Sequence, residues 1–179
     1  MKIPEAKHTI AALIDAAHEK RREEHEQAFR PHMGASTLGE KCDRKLWLAF
    51  RWAVREQFPG RILRVFRRGN REEETVVEDL RAIGMKVRAT GGEQTRVKFG
   101  SHVSGSIDGI ITSGVPDAPK KAHVLEIKTH SKKSWEAVEK DGVEKSQPKH
   151  WVQMQVYMHG TGIDRALYVA VCKLSLIHI

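Results

Sequence analysis

Two charged residues stand two positions apart in the otherwise apolar stretch Val124-Leu125-Glu126-Ile127-Lys128. Side chains alternate between the two faces of a strand, so Glu126 and Lys128 are expected on one face. Ionised groups among apolar neighbours are costly to bury unless they are paired, hydrogen-bonded or bound to a metal ion. This carboxylate and this ammonium group therefore need a compensating partner.

A second carboxylate, Asp108, stands in Ser106-Ile107-Asp108-Gly109, beside a glycine that lets another backbone or a ligand come close. Convergence of Asp108 and Glu126 on one cation would compensate both charges. Hard oxygen ligands favour Mg²⁺, with Mn²⁺ as the alternative. We expect the metal ligands to be Asp108, Glu126 and the backbone carbonyl of Ile127.

A metal ion held in this way predicts phosphodiester hydrolysis. The ion would stabilise charge on the scissile phosphate and lower the pKa of a bound water, while the phosphodiester supplies further oxygen ligands. Lys128 is expected to orient that water or help to deprotonate it, with a pKa lowered by desolvation and by the nearby metal. Asp108, Glu126 and Lys128 are thus the first candidate catalytic residues.

A third acid is expected from the helix that precedes the strands, where Glu72, Glu73, Glu74 and Glu78 compete for the role. The predicted buried stripe of that helix consists of Val76, Val77, Leu80 and Ile83. In a helical projection the centre of this stripe lies roughly 30° from Glu73, about 70° from Glu72 and about 130° from Glu74. The projection favours Glu73 as the fourth catalytic residue and leaves Glu72 as the alternative.

Four motifs occur in a recognisable order between about residue 36 and residue 172: Gly69-x-x-x-Glu73, Ser106-Ile107-Asp108-Gly109, Glu126-Ile127-Lys128 and Gln153-x-x-x-Tyr157. Together they resemble the PD-(D/E)XK nuclease superfamily. The last motif resembles its RecB-like, Cas4-like and phage recombination exonuclease (YqaJ-type) branch. The resemblance implies a restriction-endonuclease-like core and digestion of DNA from an end. It also implies that Gln153 and Tyr157 support the active site or contact the DNA strand.

The resemblance further implies the biological setting, which is recombination or repair in a bacterial cytoplasm, or in the host cytoplasm if the gene belongs to a phage. Double-stranded DNA ends are the expected substrate, with a single-strand annealing or binding protein as a partner. A ring is one of the oligomeric states left open. Two alternatives to an exonuclease also stay open: an endonuclease with the same chemistry and a catalytically inactive DNA-binding module.

The charge balance agrees with an anionic partner, because 31 Lys and Arg residues outnumber 23 Asp and Glu residues and give a net charge of +8. No sign of base readout, such as a zinc finger, is present, so contact with the phosphate backbone is expected. The candidates for a DNA path are Arg44, Arg51, Arg61, Arg64, Arg67, Lys132 and Lys133. Arg44, Arg67 and Lys132 are the ones we select.

Two cysteines, Cys42 and Cys172, are too few for a disulfide framework, and no iron–sulfur cluster is expected in this chain. Cys42 is expected to be a packed helix residue. The charged N-terminus lacks a signal sequence and no stretch is apolar enough to span a membrane, so a soluble intracellular protein is predicted. The histidines show no spacing typical of a zinc site.

Hydrophobic periodicity predicts an α/β fold with a central mixed sheet flanked by helices and an N-terminal helical extension. The expected helices are Ala6 to about Phe29, one opened by a capping box of Thr37 and Glu40, Asn70–Ile83 closed by Gly84, and a region after Ser131 interrupted near Pro148. The expected strands are Met85–Ala89, Arg96–Phe99, Val103–Ile111, Val124–Lys128 and Ala166–Cys172.

The predicted domain organisation is a helical segment over residues 1–35 and a nuclease domain over residues 36–179. The chain ends on apolar residues soon after its last expected strand. We therefore expect the natural protein to continue past Ile179, and sequencing the source gene beyond that codon tests this.

Overall fold

A computed structural model describes residues 9–24, 32–54 and 57–172 of the chain. Its helices are α1 (Ile10–Glu24), α2 (Asp43–Phe50), α3 (Gly60–Ala82), α4 (Lys132–Ser146) and α5 (Pro148–Thr161). Its strands are β1 (Met33–Gly34), β2 (Lys86–Arg88), β3 (Arg96–Phe99), β4 (Val103–Ser106), β5 (Gly109–Ser113), β6 (His123–His130) and β7 (Ala166–Cys172). Among these helices none combines the length and apolar character needed to cross a membrane.

The larger sheet has the strand order β2-β5-β6-β7. Strand β5 is antiparallel to β2 and to β6, whereas β6 and β7 are parallel. Parallel strands need a crossover connection, and α4 and α5 provide it. This arrangement confirms the predicted α/β class with a mixed sheet flanked by helices.

A smaller sheet of order β1-β4-β3 explains why the single strand predicted over Val103–Ile111 is wrong. Strand β4 belongs to the small sheet and β5 to the large one, so the chain changes sheets at Ile107 and Asp108. Ile107 is fully buried there, and its N–H donates to the carbonyl of Thr95 at 3.1 Å. Asp108 thus lies outside both strand ladders, at the junction of the two sheets.

Strand β6 separates two buried clusters, as the alternation of its side chains predicts. Leu125 and Ile127 pack in the cluster that contains Val76, Val77 and Leu80 of α3. Val124 faces the opposite way, in a cluster that also holds Ala35, Val97, Ile107 and Tyr157. Glu126, which has the parity of Val124, therefore lies on the α5 side of the sheet.

Helix α3 begins at Gly60, ten residues before the predicted start, and continues through the arginine-rich segment that precedes Asn70. Its predicted end is confirmed, because Gly84 follows with φ 93°, a left-handed conformation that favours glycine. The prediction that Ile83 belongs to the buried stripe is wrong. It is 70% exposed, since the helix is already ending at that residue.

Helix α1 lies within the leading helix predicted from Ala6 to about Phe29, and the rest of that range falls outside the described residues. It packs on α3: Arg64 pairs with Asp15 at 3.1 Å, and the Gly60 N–H donates to Glu19 Oε1 at 2.5 Å. Strand β1 pairs with β4 in the smaller sheet, and Ala35 is buried in the cluster that contains Val124. The folded unit therefore begins before residue 36, where the predicted domain boundary lies. The residues after 172, which bear on the expected continuation, are not described.

The capping box predicted from Thr37 and Glu40 is wrong. The Thr37 hydroxyl donates to the Gly34 carbonyl at 2.7 Å, within a 3₁₀ helix, and α2 begins only after the N-cap residue Cys42. Glu40 instead binds the ammonium groups of Lys149 at 2.7 Å and Lys45 at 2.9 Å, and these contacts lower its pKa to about 2. Cys42 is exposed, which corrects the prediction that it is packed.

Candidate active site

The candidate site forms where β5 separates from β6. The pairing of these strands runs from Ile111 and His123 to Gly109 and Leu125, whereas β7 stays paired with β6 as far as His130. Beyond Leu125 the Asp108 side chain takes the place of a strand partner, and its Oδ2 accepts the N–H of Ile127 at 2.8 Å. A carboxylate is thereby fixed against the backbone of the central strand.

The ammonium group of Lys128 is surrounded by the three oxygens predicted to bind a metal ion. It forms an ion pair with Glu126 Oε1, donates to the Ile127 carbonyl at 3.2 Å and lies 3.7 Å from Asp108 Oδ2. Two carboxylates and one carbonyl thus converge on a single positive charge. The structure brings Asp108, Glu126, Ile127 and Lys128 together as the sequence predicts.

Glu126 is fully buried, and neither of its carboxylate oxygens has a hydrogen-bond partner of good geometry among the described residues. Its contact with Lys128 is an ion pair. Burial raises the pKa of Glu126 to about 7, the nearby Lys128 opposes the rise, and Asp108 adds to it. The ion pair with Lys128 compensates this buried charge only in part, since the pKa of Glu126 stays raised, so the site is electrostatically suited to a further cation.

The expected lowering of the Lys128 pKa is not produced by the protein groups themselves. Burial lowers this pKa, but the negative charges of Glu126, Asp108 and Glu73 outweigh burial and the pKa is raised. An added positive charge close to the ammonium would be needed to reverse that direction.

Glu73 lies beside this cluster. It lines one cavity of about 590 Å³ together with Asp108 and a second of about 560 Å³ together with Lys128. Burial and the charge of Asp108 raise the pKa of Glu73 to about 7. Glu72, the alternative, lines a separate cavity with Arg64 and other arginines on the outer side of α3. The structure therefore places Glu73, and not Glu72, next to Asp108 and Lys128.

Gln153 and Tyr157 are buried on one face of α5, where Gln153 Nε2 donates to Tyr157 Oη at 3.1 Å. Burial raises the pKa of Tyr157 to about 12. The tyrosine packs against Gly105, where any side chain would overlap its hydroxyl. With only 5% and 3% of their surface exposed, the two residues fit the predicted supporting role and have almost no surface for contact with DNA.

The selected basic residues lie outside the two cavities of this cluster. Arg44 is exposed on α2, and Lys132 is exposed at the start of α4, 3.9 Å from Glu136. Arg67 lines the arginine-rich cavity on the outer side of α3. None of the three lines the two cavities that contain Glu73.

Three residues of the site are not among those predicted from the sequence: His130, His150 and Tyr168. His130 and His150 line the same cavity as Lys128, and both contact the hydroxyl of Tyr168. Strand parity could have identified His130, because it follows Lys128 by two positions on β6. No sequence signal connects His150 and Tyr168 to that strand.

The donor set of two carboxylates and one carbonyl suits a hard cation, and the buried Glu126 carboxylate, whose Oε1 is ion-paired with Lys128, favours a cation at this place. Among the described residues no group of three or more His, Cys, Asp or Glu side chains is close enough to hold a metal ion. The two carboxylates are instead bridged by the Lys128 ammonium.

Comparisons with known proteins give a structural likeness but no information on the chemistry of the site. No family model and no curated protein matches the sequence. A solved structure described as "Crystal structure of SSO0001" is similar with a TM-score of 0.53 and 16% sequence identity, over 95% of this chain and 76% of the other. At that identity the likeness shows a shared fold alone.

Proposed function

We propose that this chain is a Mg²⁺-dependent deoxyribonuclease of the PD-(D/E)XK type, with Mn²⁺ as an alternative cofactor, and that it digests DNA from duplex ends. One observation carries the proposal: oxygens of Asp108, Glu126 and Ile127 converge on one cationic point. Two of these oxygens are held in place by the β6 backbone, and the third belongs to a fully buried carboxylate that is ion-paired with Lys128.

The site residues have different roles in the proposed reaction. A bound Mg²⁺ supplies a Lewis acid and a water of lowered pKa. Asp108, Glu126 and the Ile127 carbonyl would hold that ion. Lys128 carries an ammonium group beside them that can hydrogen-bond the attacking water or the scissile phosphate. Glu73, with a pKa of about 7, can accept or release a proton near neutral pH.

The preference for an exonuclease rests on the resemblance of Gln153-x-x-x-Tyr157 to recombination exonucleases. Burial of this pair on the α5 side of the sheet, the side that Glu126 faces, agrees with a supporting role in such a site. The same resemblance motivates the rest of the proposal, which is an enzyme of cytoplasmic DNA recombination or repair. Its expected partner is a single-strand annealing or binding protein, and a ring is one assembly to test for.

The proposal is tested with end-labelled linear duplex and covalently closed circular DNA, each incubated with Mg²⁺, with Mn²⁺ or with a chelator. We expect the linear duplex to be shortened in either metal, the circle to stay intact and the chelator to stop digestion. Lys128→Ala should lower the rate at least about a hundredfold, the scale of a lost acid, base or orienting group. Lys140→Ala, an exposed lysine of α4, is the matched control.

Each other outcome points to a different conclusion. Digestion of closed circles would replace the exonuclease by an endonuclease with the same chemistry. DNA binding without cleavage in any metal would indicate an inactive DNA-binding module. Undiminished cleavage by folded Lys128→Ala protein, checked by circular dichroism, would refute the proposed mechanism.

A further inference from the structure

His150, Tyr168 and His130 form a hydrogen-bonded chain in the wall of the proposed catalytic cleft. The cleft, the cavity of about 560 Å³ described above, is lined by His130 and His150 together with Lys128 and Glu73. Tyr168 lies on β7, in register with Glu126 of β6. The chain therefore connects the cleft to the central strand of the site.

The hydrogen bonds that connect these three residues extend over four secondary-structure elements. Tyr168 Oη lies 2.9 Å from His130 Nε2 and 2.7 Å from His150 Nδ1. His130 Nδ1 lies 2.9 Å from Ser134 Oγ, which also accepts a hydrogen bond from Gln147 Nε2 at 3.0 Å. Strands β6 and β7 and the starts of α4 and α5 are thereby joined around two imidazole rings.

Counting hydrogens limits the tautomers of His150. The Tyr168 hydroxyl has one hydrogen but contacts two ring nitrogens, so one of the two imidazoles must donate to it. If Tyr168 donates to His150 Nδ1, then His130 Nε2 donates to Tyr168 and a neutral His150 carries its hydrogen on Nε2. In the reverse arrangement His150 Nε2 is a bare acceptor. The direction of the hydrogen bonds between His150, Tyr168 and His130 therefore decides whether His150 presents an N–H donor to the cleft.

The surroundings of His150 keep its ring uncharged. Burial lowers the pKa of His150 to about 4, and the positive charge of Lys128 and the proximity of His130 act in the same direction. Its Nδ1 is occupied by Tyr168, which leaves Nε2 for a ligand. Phosphodiester oxygens accept hydrogen bonds and do not donate them, so a DNA strand in the cleft would select the tautomer that is protonated at Nε2.

We propose that the Nε2–H group of His150 binds a phosphodiester oxygen of the DNA strand in the cleft, with Tyr168 and His130 as positioning residues that hold this tautomer. The inference rests on the proposed nuclease function. A neutral donor suits this place, because a charged one would be repelled by the Lys128 ammonium and by a metal ion bound nearby.

The first test compares His150→Ala and His150→Gln in digestion of linear duplex, with His159→Gln as the matched control. His159 is exposed near the far end of the same helix. We expect His150→Ala to lower kcat/KM about tenfold to a hundredfold, mostly through KM, which is the scale of one hydrogen bond to a charged group. His150→Gln should recover part of the loss, because its amide is also a neutral donor. Wild-type kinetics in both folded His150 variants would overturn the inference.

The second test locates the contact with oligonucleotides that carry one methylphosphonate, which replaces a charged phosphate oxygen by a methyl group. At one position we expect the wild type to lose about tenfold in affinity and His150→Ala to lose less than about twofold, because the contact is already absent. Equal losses for both proteins at every position would overturn the inference. Affinity is measured by fluorescence anisotropy in a chelator, so the result does not depend on cleavage.

The third test concerns the positioning residues. In ¹⁵N-edited NMR of wild-type protein bound to a short duplex, His150 should be protonated at Nε2 and bare at Nδ1. Tyr168→Phe should mix the tautomers and weaken binding about threefold to tenfold. A bound His150 protonated only at Nδ1 would overturn the inference. Absence of cleavage by the wild type would instead refute the nuclease proposal, and the binding and NMR results would still decide the role of His150.

Discussion

The two sides of helix α3 place a glutamate and a row of arginines in different surroundings. Its inner side presents Glu73 to Asp108 and Lys128, where partial burial raises the pKa of Glu73 to about 7. Its outer side presents a row of exposed arginines toward α1: Arg64, Arg67, Arg68 and Arg71. Interactions between charges strengthen as water is removed, whereas exposed charges are screened. The pKa of the glutamate on the inner side is therefore shifted by its surroundings, whereas the charges of the arginines on the outer side are largely screened by water.

The largest effect on cleavage is expected from a change in the buried cluster that Glu73 faces. Glu126→Gln removes the charge of the fully buried carboxylate and should lower cleavage at least about a hundredfold, because a cation loses a charged ligand. The measurement is the rate of digestion of linear duplex in Mg²⁺. Glu139→Gln, an exposed glutamate of α4, is the control. Near-normal cleavage by folded Glu126→Gln protein would mean that the buried charge is only structural.

On the inner side of α3, Glu73→Gln should lower cleavage about tenfold to a hundredfold, since it removes a group able to exchange a proton near neutral pH. Glu72→Gln should change the rate less than about twofold, because Glu72 lines the outer cavity. The two variants differ by one position on one helix and are measured side by side. A larger loss with Glu72→Gln would reverse the assignment of the fourth catalytic residue.

The raised pKa values of Glu73 and Glu126 predict a stability that depends on pH and on metal. In a chelator, their contribution to stability is present below about pH 4.5 and is lost as the pH rises through about 7, because folding disfavours the ionised forms. Mg²⁺ at the proposed site would bind the ionised form of Glu126 and lie close to the ionised form of Glu73. At a hundred times its Kd it should raise Tm by about 5–10 °C at pH 8.

The matching measurement is a thermal melt at pH 5.5, where the gain from Mg²⁺ should be less than half of the gain at pH 8. Protons then compete with Mg²⁺ for Glu126, and protonated Glu73 no longer adds a negative charge beside the ion. Glu126→Gln should lose most of the gain at either pH. A gain that is independent of pH would place the metal ion elsewhere.

The smallest effect is expected on the outer side. Arg67 lies about 120° around α3 from Glu73. Arg67→Ala should raise KM no more than about threefold and leave kcat unchanged. The slope of log K for DNA binding against log salt concentration should fall by no more than the amount expected for about one phosphate contact. Initial rates at several salt concentrations measure this. A loss of kcat comparable with that of Glu73→Gln would show that the DNA path runs over the arginine surface.

Local pattern was sufficient to predict much of the fold. Strands β3 and β7 have the predicted bounds, and the alternation along β6 correctly places Leu125 and Glu126 on opposite faces of the strand. Gly84 ends α3 because a residue in the left-handed region is needed there. These features depend on neighbours close in the chain, so the sequence reports them directly.

Local pattern failed where a distant residue competes for a group. Thr37 and Glu40 have the spacing of a capping box, but Lys149 of α5, more than a hundred positions away, binds the Glu40 carboxylate at 2.7 Å. The range Val103–Ile111 has the pattern of one strand, yet its two halves pair in different sheets. Periodicity cannot show which partner a strand or a side chain will find.

The types and order of the charged residues, the face shared by Glu126 and Lys128, and the helix face that favours Glu73 over Glu72 follow from the sequence alone. Folding was needed to show that oxygens of Asp108, Glu126 and Ile127 surround one ammonium group, and that His150 lines the same cleft while bound to Tyr168. Alternation and helical pitch are set by the local backbone. Burial, pKa and hydrogen-bond partnership depend on segments that meet only when the chain is folded.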